Sequence, residues 1–226
     1  MTLGVPAAGT DYFGKHHSYL LAQDNYYTRK ISNRLKEALD LVPGKEILEL
    51  GCGAGRFSLP LLEQGLSLTC VDSSRELTEE FLKRVQNHHR VKVLTGDFFN
   101  LEGRYDFIIG FFVLHHFRDH GALFEKFRRL LKPGGRIGFI EPNPLNPMYY
   151  IGSFFYEGIA NRDEYYFMVE KRRLSRGLEA SGFRDVRIEK FGFFPPQILN
   201  LKAGPLLDRW TGWFVPRLCE LIFART

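Results

Sequence analysis

Gly51, Gly53 and Gly55 stand at every second position of Glu49-Leu50-Gly51-Cys52-Gly53-Ala54-Gly55. Glycines so spaced let the backbone approach a ligand without interference from a Cβ and turn sharply into a following helix. Asp72 ends the next apolar run, 21 residues beyond Gly51. A carboxylate there can accept hydrogen bonds from both hydroxyls of a ribose. Together these residues describe a nucleoside-containing molecule lying across the ends of strands. Further along, His115-His116 supplies side chains that titrate near neutrality, and Glu141 closes a later apolar run.

Such groups need a scaffold that brings them to one edge. Short apolar runs recur at Ile47–Leu50, Leu68–Val71, Val91–Leu94, Tyr105–Val113 and Arg136–Ile140. Between them lie segments with helical spacing: Leu77, Phe81, Leu82 and Val85, then Leu123, Phe124, Phe127, Leu130 and Leu131. That alternation predicts an α/β fold, a mostly parallel sheet with helices on both faces. Lys132-Pro133-Gly134-Gly135 reads as a helix stop and turn into the next strand. Further strands are expected at Val186–Phe191 and Glu220–Ala224.

Two regions break the rhythm. Residues 1–44 read as a helical lid, with Leu20, Ile31, Leu35 and Leu39 as its apolar face and a cluster of rings that includes Tyr12, Tyr26 and Tyr27. The main domain then spans 45–226. It carries an aromatic insert at 142–170, which includes Tyr149, and an amphipathic stretch at 193–216. That stretch interleaves Leu201, Leu206, Trp210 and Trp213 with Lys202, Arg209 and Arg217. It reads either as a cover for the sheet or as an interfacial helix resting on a membrane.

The chain has 226 residues, 44% hydrophobic and 25% charged, which excludes dominant disorder, collagen-like repeats and a disulfide scaffold. Its 21 Phe and 10 Tyr suggest a thick core plus a surface for something flat or greasy. A net charge of +5 permits contact with anionic lipid or nucleic acid without demanding it. Three cysteines without a CxxC pair fit a reduced, cytosolic chain. Neither a secretory signal nor a membrane span is read, and no metal site is expected.

A dinucleotide fingerprint would place its third glycine at position 56, where this chain has Arg56. With the GxGxG spacing, and an acid two residues ahead of it, the sequence resembles the class I S-adenosylmethionine-dependent methyltransferases, particularly the broad type-11 methyltransferase domain. The resemblance is clearest over residues 40–145 and rests on Ile47–Phe57, Val71-Asp72-Ser73, Gly96-Asp97-Phe98, Tyr105–Phe117 and Leu131–Glu141. It implies a Rossmann-like seven-stranded sheet with an antiparallel last strand. S-adenosyl-L-methionine would be the cofactor and S-adenosyl-L-homocysteine the product.

The resemblance also implies roles. Gly51, Cys52, Gly53 and Gly55 would border the methionine and ribose portions, with Glu49 toward the amino end. Asp72 and Ser73 would lie at the ribose, Asp97 would take the adenine amino group, and Phe98 would cover the ring. Methyl transfer is an in-line displacement that needs alignment, exclusion of water and, for a hydroxyl, a base. Phe111, His115, His116 and Glu141 are expected to face the methyl group, with His115 or His116 as base or as packing. Some ubiquinone-pathway O-methyltransferases resemble this region but carry Glu-x-x-Glu-His where this chain has Phe112, His115 and His116, which argues against a hard-cation site.

Tyr12, Tyr26, Tyr27, Glu141 and Tyr149 are candidate acceptor contacts. The region lacks the (Asp/Asn)-Pro-Pro-(Tyr/Phe) loop of adenine-amine methylation, which points away from nucleic acid and toward a small or lipophilic acceptor. RNA methylation and a non-catalytic cofactor-binding regulator stay open as alternatives. Oligomeric state is not legible.

Overall fold

The computed structural model describes residues 24–143, 171–192, 200–206 and 219–226, with side chains from 173 onward in the second of these. The chain opens on α1 (Tyr26–Leu39) and continues as β1 (Ile47–Leu50), α2 (Ser58–Glu63), β2 (Leu68–Asp72), α3 (Arg75–Arg84), β3 (Val91–Thr95), β4 (Tyr105–Phe111), α4 (His120–Leu130), β5 (Leu131–Pro142), α5 (Lys171–Ala180), β6 (Arg184–Phe191) and β7 (Cys219–Arg225). Single 3-10 turns at Phe98–Asn100 and Leu114–His116 follow β3 and β4.

The sheet has seven strands in the order β3-β2-β1-β4-β5-β7-β6. The first five run parallel, and β7 enters antiparallel between β5 and β6. Strand β1 lies where the order reverses, with β2 on one side and β4 on the other. At such a switch point a crevice opens outside the carboxyl ends of the strands.

Local signals match these elements. Asn25 and Thr28 form a reciprocal capping box at the start of α1. Ser74 caps α3 and Asp119 caps α4. Side chains alternate across β1: Ile47 joins one apolar cluster with α1 and α2, while Leu48 and Leu50 join a second with α4 and α5. Helix α1 packs on the sheet so closely that a Cβ at Gly138 would meet Leu39 Cδ1 at 2.4 Å.

One expected boundary moves. Lys132–Gly135 does not precede β5 but lies inside it, because Leu131 already pairs with Tyr105. The ladder then skips to Phe107 opposite Arg136, so the Pro-Gly-Gly run is a bulge.

Candidate cofactor and acceptor site

The loop after β1 folds back over β2. Gly51 N and Cys52 N both donate to Val71 O, at 2.8 and 3.3 Å. Gly51 (φ +71°), Gly53 (+50°) and Gly55 (+80°) all occupy the left-handed region. Two of them also have no room for a side chain. A Cβ at Gly51 would meet Val113 Cγ2 at 2.4 Å, and one at Gly55 would meet the Phe81 ring at 2.3 Å. The first contact fixes the loop against the segment after β4, the second against α3. At Gly53 the nearest atom would be Leu77 Cδ1 at 3.7 Å, so this glycine lines open space.

Asp72, half-buried at the end of β2, locks the loop to the next helix. Its Oδ2 accepts from Gly53 N and its Oδ1 from Ser74 N, each at 2.8 Å. Burial pushes its pKa up, and the backbone N–H groups of Ser74, Gly53 and Ser73 oppose that rise. Each oxygen keeps a second lone pair, the acceptor capacity that a vicinal diol requires. Ser73 is exposed beside it.

Glu49 lies beneath the loop, 1% exposed. Among the described residues Cys70 Sγ donates to its Oε2 at 3.6 Å. The buried Ser58 hydroxyl stands close enough to favour its charged form, yet outside hydrogen-bond geometry. Burial raises the Glu49 pKa to about 7. A buried carboxylate this short of donors suits a cationic ligand group nearby. Cys52, Cys70 and Cys219 are all buried, and burial contributes to pushing each thiol up. The open glycine cradle, the spare lone pairs of Asp72 and the under-satisfied Glu49 together fit a cationic nucleoside cofactor.

Asp97 is exposed, and its Oδ1 accepts from Phe99 N at 2.9 Å. Phe98 departs from its expected place. Its ring is 4% exposed and packs edge-on against Phe127, with centroids 5.6 Å apart. The core cluster with Phe127 takes this side chain, which leaves it no open face to lay over an adenine.

Past β4 the chain makes a braced turn. Phe112 adopts φ +55° and donates its N–H to Ile140 O at 2.7 Å. The next two amides, Val113 N and Leu114 N, both donate to Glu141 Oε1, at 2.9 and 2.8 Å. Glu141 Oε2 lies 2.8 Å from His115 Nδ1. With Glu141 fully buried and His115 3% exposed, the pair is an internal strut. The expectation that Glu141 touches the acceptor is therefore corrected, since its oxygens serve the turn. His116 is exposed, its ring 4.1 Å from that of His115. Loss of water on its inner face, then His115, pulls its pKa down to about 4, while the nearby Glu141 charge opposes the fall.

Rings gather beside this turn. Phe57 and Phe111 stack at 4.7 Å, Phe112 tilts toward Phe57 at 5.6 Å, and Tyr27 meets Phe57 edge-on at 6.5 Å. The Arg56 guanidinium lies 5.5 Å from the Tyr27 ring centre and 5.2 Å from that of Phe57. Tyr27 is 7% exposed and belongs to the core, whereas Tyr26 is half-buried at its edge. Tyr12 and Tyr149 lie outside the described residues. Sequence reasoning missed the parts played by Arg56, Phe57, Phe112 and Val113. The first two stood inside the Ile47–Phe57 motif, but nothing in residue type announces the backbone of Phe112. Among the described residues no group of three or more His, Cys, Asp or Glu is placed to hold a metal ion.

A family model for a methyltransferase domain, type 23 where the sequence suggested type 11, matches residues 22–188. A protein of Streptomyces fradiae, described as an uncharacterized 37.1 kDa protein in transposon TN4556, is 34% identical over 122 residues, 51% of this chain and 35% of that one. The chain thus spans about a third of that relative's length. A demethylmenaquinone methyltransferase of Staphylococcus saprophyticus is 23% identical, over 70% of this chain and 78% of the enzyme. Among solved structures, the Haemonchus contortus phosphoethanolamine N-methyltransferase 2 in complex with S-adenosyl-L-methionine superposes with a TM-score of 0.61 at 18% identity. That match covers 87% of this chain and 52% of the other. Sheet order, glycine loop and a match across well over half of its length converge: this chain belongs to the class I S-adenosylmethionine-dependent methyltransferase domain family.

Proposed function

We propose that the chain is an S-adenosylmethionine-dependent methyltransferase acting on a small or lipophilic metabolite. The observation that carries this reading is the Gly51–Gly55 loop clasped by Asp72 at the switch point of the sheet. Bound there, the cofactor supplies an electrophilic methyl group on a positively charged sulfur. Asp72 holds the ribose hydroxyls on its remaining lone pairs, with Ser73 alongside. Glu49 lies toward the amino end, the loop glycines give close backbone approach, and Asp97 takes the adenine amino group. The strut from Glu141 to His115 holds the turn after β4 rigid, so that an acceptor is aligned and water excluded.

His116, the exposed one of the two histidines, is the group placed to take a proton from an acceptor that must lose one, and its lowered pKa makes it a weak base suited to an acidic hydroxyl. His115 orients the turn beneath it. A lipophilic acceptor agrees with the ring cluster and with the quinone chemistry in the name of the Staphylococcus relative.

The short stretch 200–206 supports contact with a membrane surface at the acceptor end. Asn200 Oδ1 accepts from Tyr27 N on α1 at 3.0 Å, while Leu201 and Leu206 are 59% and 61% exposed on either side of Lys202. No helix among the described residues is long and apolar enough to cross a membrane. The rest of the 193–216 segment, the 142–170 insert past Asn143 and the lid before Asp24 lie outside the described residues. Co-sedimentation with anionic vesicles should be strong for the parent and weak for Leu201→Asp/Leu206→Asp; equal pelleting would end the idea.

The main test incubates the full chain with methyl-labelled cofactor and separate lipid, small-metabolite and RNA fractions. Label in the lipid or small-metabolite fraction is expected. Label in RNA alone would replace this acceptor class, and no label despite tight cofactor-product binding would favour a non-catalytic regulator.

A further inference from the structure

The turn after β4 requires a left-handed residue but does not require a phenylalanine. Phe112 at φ +55° lets its own N–H reach Ile140 O and sends Val113 N and Leu114 N to Glu141. Glycine would meet that demand without strain. A bulky side chain in this region is a genuine outlier that the surrounding strut holds in place, and such outliers gather at functional sites. The ring stands at the carboxyl end of β4, next to the Val113 that abuts Gly51. It is half-buried, tilted 51° to Phe57, so part of it rests on the core and part stays open. The neighbouring faces of Tyr27 and Phe57 already carry the Arg56 guanidinium. A second cation beside those rings would be repelled, while a flat neutral or anionic ring would not.

We propose that Phe112 is the residue that selects the methyl acceptor, and that the acceptor end of the site takes a planar aromatic ring rather than an ammonium group. The inference rests on the methyltransferase reading and adds the substrate class to it. A planar hydroxylated ring would lie against the open part of Phe112, with its reacting oxygen or ring carbon toward the methyl group.

The test uses the full chain saturated with S-adenosylhomocysteine and two probes of similar size, 1,4-dihydroxynaphthalene and its saturated counterpart, decahydronaphthalene-1,4-diol. Calorimetry on the parent should show about a fivefold preference for the aromatic probe, the ratio that one ring contact supplies. Phe112→Leu keeps apolar bulk in the same backbone and should bring the preference below twofold with affinity for S-adenosylhomocysteine unchanged. Phe112→Gly removes the strain along with the ring, so it keeps the test valid where the leucine variant folds poorly, and it should lose the preference too. A parent without aromatic preference, or variants that retain it, would overturn the proposal. Failure of the parent to bind S-adenosylhomocysteine would instead sink the methyltransferase reading beneath it.

Discussion

Replacing Gly51 by alanine places a methyl group 2.4 Å from Val113 Cγ2 and 3.0 Å from Val113 Cβ, at a φ of +71°. Two costs combine. The left-handed backbone disfavours a Cβ by ~1–2 kcal/mol, and overpacking a closed contact costs ~1–3 kcal/mol. The single variant should therefore lose ~2–5 kcal/mol. Val113→Ala, at a residue 7% exposed, loses two methyls and leaves a small cavity, ~2 kcal/mol. In the double variant the new methyl enters the space that Cγ2 vacated, so overpacking and cavity largely cancel and the backbone strain remains. The double loss should fall short of the sum of the singles by about 2 kcal/mol. Urea denaturation of all four proteins at one pH, with slopes compared to confirm two-state unfolding, measures it. Additivity within ~0.5 kcal/mol would refute the idea that the glycine loop is wedged against the turn after β4.

Other consequences follow from the same site. Glu49 has its pKa raised from 4.5 to about 7, so the folded protein binds its proton more tightly than the unfolded chain does. Stability without cofactor should fall by up to ~3 kcal/mol as pH rises from 4.5 to 7 and then level off. Glu49→Gln should abolish that slope, and parallel pH profiles for parent and variant would contradict the burial argument. Glu141→Ala strands two buried amides and the His115 ring, which should cost ~3–5 kcal/mol by urea denaturation, while Glu141→Gln keeps an acceptor oxygen and should cost less. His116→Ala should lower kcat by ~100-fold or more, with unchanged affinity for the cofactor product. An unaltered kcat would leave alignment and desolvation to drive transfer without a base.

The alternation of apolar runs and helical segments made most of the sheet legible, because parallel strands covered on both faces must be continuously apolar. The reversed end, with β7 between β5 and β6, came from family resemblance rather than from periodicity, since an antiparallel edge pair leaves no distinct local signature. The glycine loop and Asp72 were legible because backbone geometry there tolerates few residue types. What escaped depended on tertiary direction. Phe98 and Phe99 look equivalent in sequence, yet the turn sends the first into the core. Glu141 and His115 lie 26 residues apart and meet only because β4 and β5 run side by side in parallel. The left-handed backbone of Phe112 is imposed by that strut, and no neighbour in sequence encodes it. Pro133 and the following glycines read as a stop because a bulge and a turn use the same residues.

The clasp of the loop by Asp72 is tested most directly by calorimetry with S-adenosylhomocysteine on the parent and on Asp72→Ala. Binding in the micromolar range is expected for the parent, weakened by ~1–3 kcal/mol in the variant as its carboxylate hydrogen bonds are lost. A parent that shows no heat of binding, or a variant that binds as tightly as the parent, would contradict the account.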